Sequence, residues 1–116
     1  MSTVSWLLEL TVNDAAAGKA LAEEMSQATK ADEPGALIYE YFLSDDEKTL
    51  HIYERYADSE AVLAHMANFG EKFADRFLSV FEPTSLTIYG SPDDAVKKTM
   101  AGLSPAYLGQ VAGFAR

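Results

Sequence analysis

The chain has 116 residues, which sets the expectation of one compact domain. Its 18 acidic side chains outnumber 9 basic ones, and a net charge of −9 repels phosphate backbones and anionic lipid, so no nucleic-acid partner is expected. Cysteine is absent, which removes disulfides, thiolate nucleophiles and cysteine-based zinc sites together.

The opening "MSTVSWLLELTV" has no positively charged leader, and Glu9 interrupts its apolar residues, so it reads as a strand and not as a signal peptide. No apolar run approaches the roughly 20 residues that cross a bilayer, and the expectation is a cytoplasmic protein with no membrane partner. Val4, Trp6, Leu8, Leu10 and Val12 alternate with Ser5, Glu9 and Thr11, which gives a first strand one apolar face. Asn13 or Asp14 then caps a helix with Ala17, Leu21, Met25 and Ala28 as its apolar stripe, ending near Lys30. In "ADEPG", Pro34 disfavours helix at Glu33 and Gly35 permits a turn.

"ALIYEYFLS" and "TLHIYERYA", separated by the acidic "DDEK", predict a β-hairpin. Leu37, Tyr39, Tyr41 and Leu43 fall on one side, with Ile38, Phe42, Ile52 and Tyr56 expected on the other if the turn keeps register. Asp58 or Ser59 caps a second helix that runs through His65, with Gly70 expected to interrupt it. Phe73, Phe77 and Val80 continue at helical spacing, Pro83 is expected to end the helix, and "TSLTIY" supplies a fourth strand up to Gly90.

This order is that of an α+β, ferredoxin-like βαββαβ domain with its helices on one face of an antiparallel sheet. The hairpin is apolar or aromatic on both faces, although the helices suffice for only one, so the second face is expected to meet another sheet in a homodimer. The domain is assigned to residues 1–90. Residues 91–116 form a C-terminal helical extension, in which Ser91 caps, Pro92 takes the first helical position, and Val96, Met100 and Leu103 line one side. Tyr107, Leu108, Val111 and Phe114 make the last stretch too apolar for a free tail, so it is expected to dock on the domain or on its partner.

With only two histidines in the chain, attention falls on His65 in "SEAVLAHMANF". At about 100° per residue, Val62, Leu63, Met66 and Phe69 define a buried sector, and His65 lies on its flank. From there the ring reaches a cleft while one nitrogen stays near water, which suits a general base and equally a boundary histidine bonded to a carbonyl or carboxylate. Glu40 and Glu54 are candidate cavity acids or bases; a three- or five-residue turn would put both on one sheet face, and a four-residue turn would not. Trp6, Tyr39, Tyr41, Tyr53, Tyr56 and Tyr89 supply rings that stack on a planar substrate or simply pack the core. His51 and His65 do not have the spacing of a metal site, and no phosphate-binding loop, dinucleotide fingerprint or serine nucleophile elbow is present.

"EPGALIYEYFLSDDEKTLHIYERYADSEAVLAHM" resembles the antibiotic biosynthesis monooxygenase family of dimeric α+β barrels. The resemblance rests on Pro34-Gly35, Tyr39-Glu40, Glu54 with Tyr56, Asp58, and Ala64-His65, and covers roughly the first three-quarters of the chain. It implies a homodimer with a cleft between sheet and helices in each subunit. It also implies relatives that include cofactor-free oxygenases of quinols and anthrones, haem-degrading enzymes and isomerases. Tyr56 stands where many relatives have Trp, so a role carried by that indole does not transfer.

The expected function is a cofactor-independent monooxygenase for a small aromatic or quinol substrate, with no cofactor and no metal. His65 is its candidate catalytic residue, and Trp6, Tyr39, Glu40, Glu54 and Tyr56 are its candidate substrate-binding residues. The alternatives are a non-catalytic dimeric barrel that binds a small apolar metabolite, and a haem-binding or haem-degrading protein with His65 as axial ligand.

Overall fold

A computed structural model describes residues 3–116; Met1 and Ser2, which open the first expected strand segment and domain, lie outside the described residues. The first strand, β1 (Val4–Val12), buries Val4, Trp6, Leu8 and Leu10 as its alternation requires. It is the centre of one sheet, pairing antiparallel with β3 (Thr49–Tyr56) on one side and β4 (Phe81–Gly90) on the other. With β2 (Ala36–Leu43) outside β3, the antiparallel part of the order is β2-β3-β1-β4, the ferredoxin-like arrangement.

Helix α1 (Ala15–Asp32) starts at Asp14, whose carboxylate accepts from the Ala17 N–H at 3.0 Å. Its buried stripe is Gly18, Leu21, Met25 and Thr29 rather than the expected run through Ala17 and Ala28. Close packing selects Gly18: a Cβ there would stand 2.9 Å from the Phe81 ring, so only a glycine lets the helix lie on the start of β4.

The hairpin turn decides which residues face the helices. Asp45–Lys48 form a four-residue loop closed by Ser44 N–H donating to Thr49 O at 2.9 Å, and Tyr39 then pairs with Glu54, Tyr41 with Ile52 and Glu40 with Tyr53. Tyr39, Tyr41, Ile52, Glu54 and Tyr56 therefore share the helix-covered face, while Glu40 and Phe42 turn to the open one. The expected grouping of Ile52 and Tyr56 with Ile38 and Phe42 is thereby reversed. A register shift between Ala36 and Ile38 also takes Leu37 off the side expected for it and leaves it exposed.

Helix α2 (Ser59–Lys72) is capped by Asp58, which accepts from Ala61 N–H at 2.8 Å. Gly70 does not interrupt it; the break falls at Phe73, whose non-helical backbone closes α2 and opens α3 (Ala74–Val80). Pro83 lies inside β4 and not before it, at a bulge opposite Glu9 and Leu10. Proline lacks an N–H for the ladder there, and the Thr84 hydroxyl donates to the Glu9 carbonyl instead, at 3.0 Å.

In the C-terminal extension, Asp93 and not Ser91 caps α4 (Asp94–Met100), and Pro92 precedes the helix. Val96 and Met100 are buried, and β5 (Ala106–Leu108) adds parallel to Thr87–Tyr89 of β4. Beyond it the chain runs along the open face of the sheet with Val111 100% and Phe114 79% exposed, so those two side chains find no docking surface within this chain. Among the described residues no helix is long and apolar enough to cross a membrane.

Candidate functional site

Sheet register and one turn bring three titratable side chains together between the sheet and α2. Glu54 projects from β3 onto the helix-covered face, and His65 descends from α2 onto it. Glu33 arrives from the end of α1, where the Glu33–Ala36 turn, closed by Ala36 N–H donating to Glu33 O at 3.0 Å, carries the chain under α2. Gly35 makes that approach possible, because a Cβ on it would meet the Ala61 Cβ at 2.7 Å.

His65 is thus not on a wetted flank, as its position relative to Leu63 and Met66 suggested, but in the buried stripe with Val62, at 5% exposure. Its two ring nitrogens face carboxylates: Nδ1 lies 2.8 Å from Glu33 Oε1, and Nε2 lies 3.4 Å from Glu54 Oε1. The first is a charge-assisted hydrogen bond, whereas the second is at the long end for N–H···O and leaves Nε2 uncommitted. Asn68, one turn along α2, donates its amide to Glu33 Oε2 at 3.3 Å.

Glu54 is held on its other sides. Trp6 Nε1 donates to Oε2 at 2.7 Å, and the Tyr56 hydroxyl donates to Oε1 at 2.5 Å. Burial pushes the Glu54 carboxyl above its ordinary range, opposed by His65 and by these two donors. Tyr39 and Tyr41 form a second chain, their hydroxyl oxygens 2.8 Å apart, with the Tyr41 hydroxyl 3.5 Å from Met25 Sδ. Burial raises both phenols well above their ordinary value, so both keep their protons at neutral pH.

A cavity of about 180 Å³ opens beside these groups. Trp6, Tyr39, Glu54 and His65 line its polar end, and Leu8, Ile52, Met66, Phe69, Phe77 and Leu86 are among its apolar walls. Among the described residues no Lys or Arg lines it. Of the side chains singled out from sequence, the fold brings together His65, Trp6, Tyr39, Glu54 and Tyr56, whose ring packs 5.1 Å from that of His65. Glu40 does not join them, because the four-residue turn puts it, exposed, on the opposite face. Sequence reasoning missed Glu33. A glutamate before Pro-Gly carries only a turn signal, and its pairing with a histidine 32 positions away is a product of the fold. Among the described residues, no group of three or more His, Asp or Glu is arranged to hold a metal ion.

A model of the antibiotic biosynthesis monooxygenase family matches residues 8–75, more than half of the chain and all three members of the carboxylate–imidazole cluster. The chain belongs to that family. No curated protein matches it. Among solved structures, MupZ from Pseudomonas fluorescens is 20% identical and superimposes with a TM-score of 0.87 over 100% of this chain and 96% of its own. SnoaB, a cofactor-independent oxygenase from Streptomyces nogalater, is 16% identical with a TM-score of 0.67 over 80% of this chain and 96% of its own. Rv0793 from Mycobacterium tuberculosis is 24% identical with a TM-score of 0.60, covering 81% of this chain and 99% of its own. At these identities the likeness is one of fold. The family match ends within α3, so β4, α4 and β5 lie outside it, whereas the likeness to MupZ extends over the whole chain.

Proposed function

We propose that the protein is a cofactor-independent monooxygenase that oxidises a small aromatic or quinol substrate with O₂ and works as a homodimer. The observation that carries this reading is the cavity's polar end, where an imidazole nitrogen not committed to a hydrogen bond faces an otherwise apolar space. Its volume, about 180 Å³, is below the roughly 300–1,000 Å³ of sites for drug-sized ligands and suits one ring or two fused rings. A porphyrin is too large for it, and both ring nitrogens of His65 face carboxylates, so the haem reading loses its support.

With no cation on the walls, the cavity favours a neutral substrate that becomes anionic only as it hands over a proton. His65 Nε2 takes that proton, and Glu33 and Glu54 on either side stabilise the imidazolium. The electron-rich anion then reduces O₂, forming a carbon–oxygen bond to a hydroperoxide. Reprotonation and loss of water leave a carbonyl, so one oxygen atom enters the product and the other departs as water. Tyr39 is placed to serve the developing oxyanion. It turns its proton from Tyr41 to the ligand, while Tyr41 gives up only a weak contact with the Met25 thioether to donate in its place.

Oxygen uptake with a panel of one-ring and two-ring quinols, corrected for autoxidation, tests this reading. The wild type is expected to accelerate uptake, and His65→Ala to lower the rate by about 10²–10⁴, the usual contribution of a general base. Equal rates remove His65 from the chemistry. Saturable binding without uptake by either protein leaves a binding barrel and no enzyme.

A further inference from the structure

Three spaces are linked by the residues that line them. The substrate cavity is lined by His65 and Glu54 but not by Glu33. Behind it, a space of about 10 Å³ is lined by both His65 and Glu33, together with Thr29, Asn68 and Phe69. This is the size at which a single water begins to fit. Outside that, a surface cleft of about 390 Å³ is lined by Glu33, Asp32, Asp58, Glu60 and Asn68, and no longer by His65. His65 therefore bridges cavity and inner space, and Glu33 bridges inner space and surface.

From this arrangement we infer that Glu33 is a proton-relay residue, which empties His65 through the back of the site into the cleft beside Asp58 and Glu60. The inference rests on the reading of His65 as the base. The Nδ1 contact to Glu33 at 2.8 Å keeps a proton on Nδ1 and the lone pair on Nε2, toward the cavity. When Nε2 takes the substrate's proton, Nδ1–H passes its own to Glu33 Oε1, and the neutral Glu33 carboxyl releases it to water in the cleft. When the peroxide anion forms, Nε2–H protonates it and the path runs inward, from cleft water through Glu33 to Nδ1. Each turnover thus sends one proton out, takes one back with no net release, and returns His65 and Glu33 to their starting forms.

The route matters because, among the described residues, no other titratable side chain on the cavity wall is free to carry the proton onward. Glu54 has its oxygens engaged by Trp6 and Tyr56, and Tyr39 and Tyr56 are buried phenols that retain their protons. On the outer side, the charged groups facing Glu33 are Asp32, Asp58 and Glu60, with Lys72 paired to Asp32 at 3.7 Å. The carboxylates of this mouth draw a proton outward from Glu33 and pass it to water.

The test compares wild type, Glu33→Gln and Glu54→Gln, with ¹⁵N-labelled imidazole rings followed by NMR. Gln at position 33 keeps a hydrogen-bond acceptor for Nδ1 but cannot take up the proton. In the wild type the proton is expected on Nδ1 and to exchange rapidly with water although the ring is 5% exposed. Glu33→Gln should slow that exchange at least tenfold, and Glu54→Gln should leave it within about twofold. Exchange unchanged in Glu33→Gln, or a proton resident on Nε2, overturns the relay. Catalysis is read separately: absence of oxygen uptake by the wild type defeats the monooxygenase reading, whereas the exchange result stands without any substrate. Where uptake is seen, added imidazole buffer should restore part of the rate lost in Glu33→Gln, which a purely structural role for Glu33 does not predict.

Discussion

Glu54 is the residue on which stability and chemistry meet. It is a carboxylate at 4% exposure, held by the indole N–H of Trp6, the hydroxyl of Tyr56 and the facing ring of His65. Burial outweighs those partners and raises its pKa, so the folded chain binds this proton more tightly than the unfolded chain does. The stability Glu54 contributes is therefore complete below the ordinary carboxylate value and is lost as pH rises through its higher value in the fold. Glu54→Gln has no such term. The difference in unfolding free energy, wild type minus variant, should fall as pH rises from 4 towards neutrality, by at most about 1.4 kcal/mol per pH unit. Thermal melts across that range check it; a flat difference would show that the donors around Glu54 fully compensate its burial. The identities of this residue and of His65 were legible in the sequence as polar residues in apolar company, but their environment was not. The flank assigned to His65 came from the apolar residues of its own helix, whereas the carboxylates that bury it come from α1 and β3.

At the scale of elements, the local signals were the readable ones. Period-two alternation located β1, and the carboxylates of Asp14 and Asp58 capped α1 and α2 as their spacing required. The hairpin's faces were not readable, because "DDEK" fits several turns and a change of one residue in register swaps every side chain between core and solvent. The structure resolves this with a four-residue loop, which gathers Tyr39, Glu54 and Tyr56 and sends Glu40 away. The extent of α2 was missed for a related reason: Gly70 lowers helix propensity, yet it is exposed and nothing crowds it, so packing at Phe69 and Phe77 sets the break instead. The contact that ties two elements at the site is Gly35 against Ala61. Gly35→Ala should force the turn away from α2, destabilising the fold by about 1–3 kcal/mol as overpacking usually does. It should also lengthen the Glu33–His65 contact. Chemical denaturation measures the first effect and the Nδ1–H chemical shift the second. Ala61→Gly in the same chain should recover part of both, and strict additivity of the two changes would contradict the contact.

The described residues are lopsided: helices cover one face of the sheet, and the other carries Leu7, Phe42, Tyr53 and Tyr89 with, among the described residues, only the C-terminal arm beside it. Arg55 on that face has a buried Nε without a hydrogen-bond partner among the described residues. Light scattering at micromolar concentration should give about twice 12.7 kDa for the wild type. Leu7→Lys, at the centre of the open face, should shift the mass towards that of one chain. A wild type that scatters as a single chain would remove the homodimer. The sheet's outer strand has a consequence of a different kind. β2 presents an unpaired edge of eight residues, "ALIYEYFL", with Leu37 and Phe42 exposed and Glu40 as its one charge. Such an edge recruits other strands unless something repels them. Glu40, set apart from the cavity by the turn, is the residue in position to do so. Glu40→Val should therefore leave ligand binding intact while shortening the time the protein stays clear at high concentration, a liability that no assay of the site would detect.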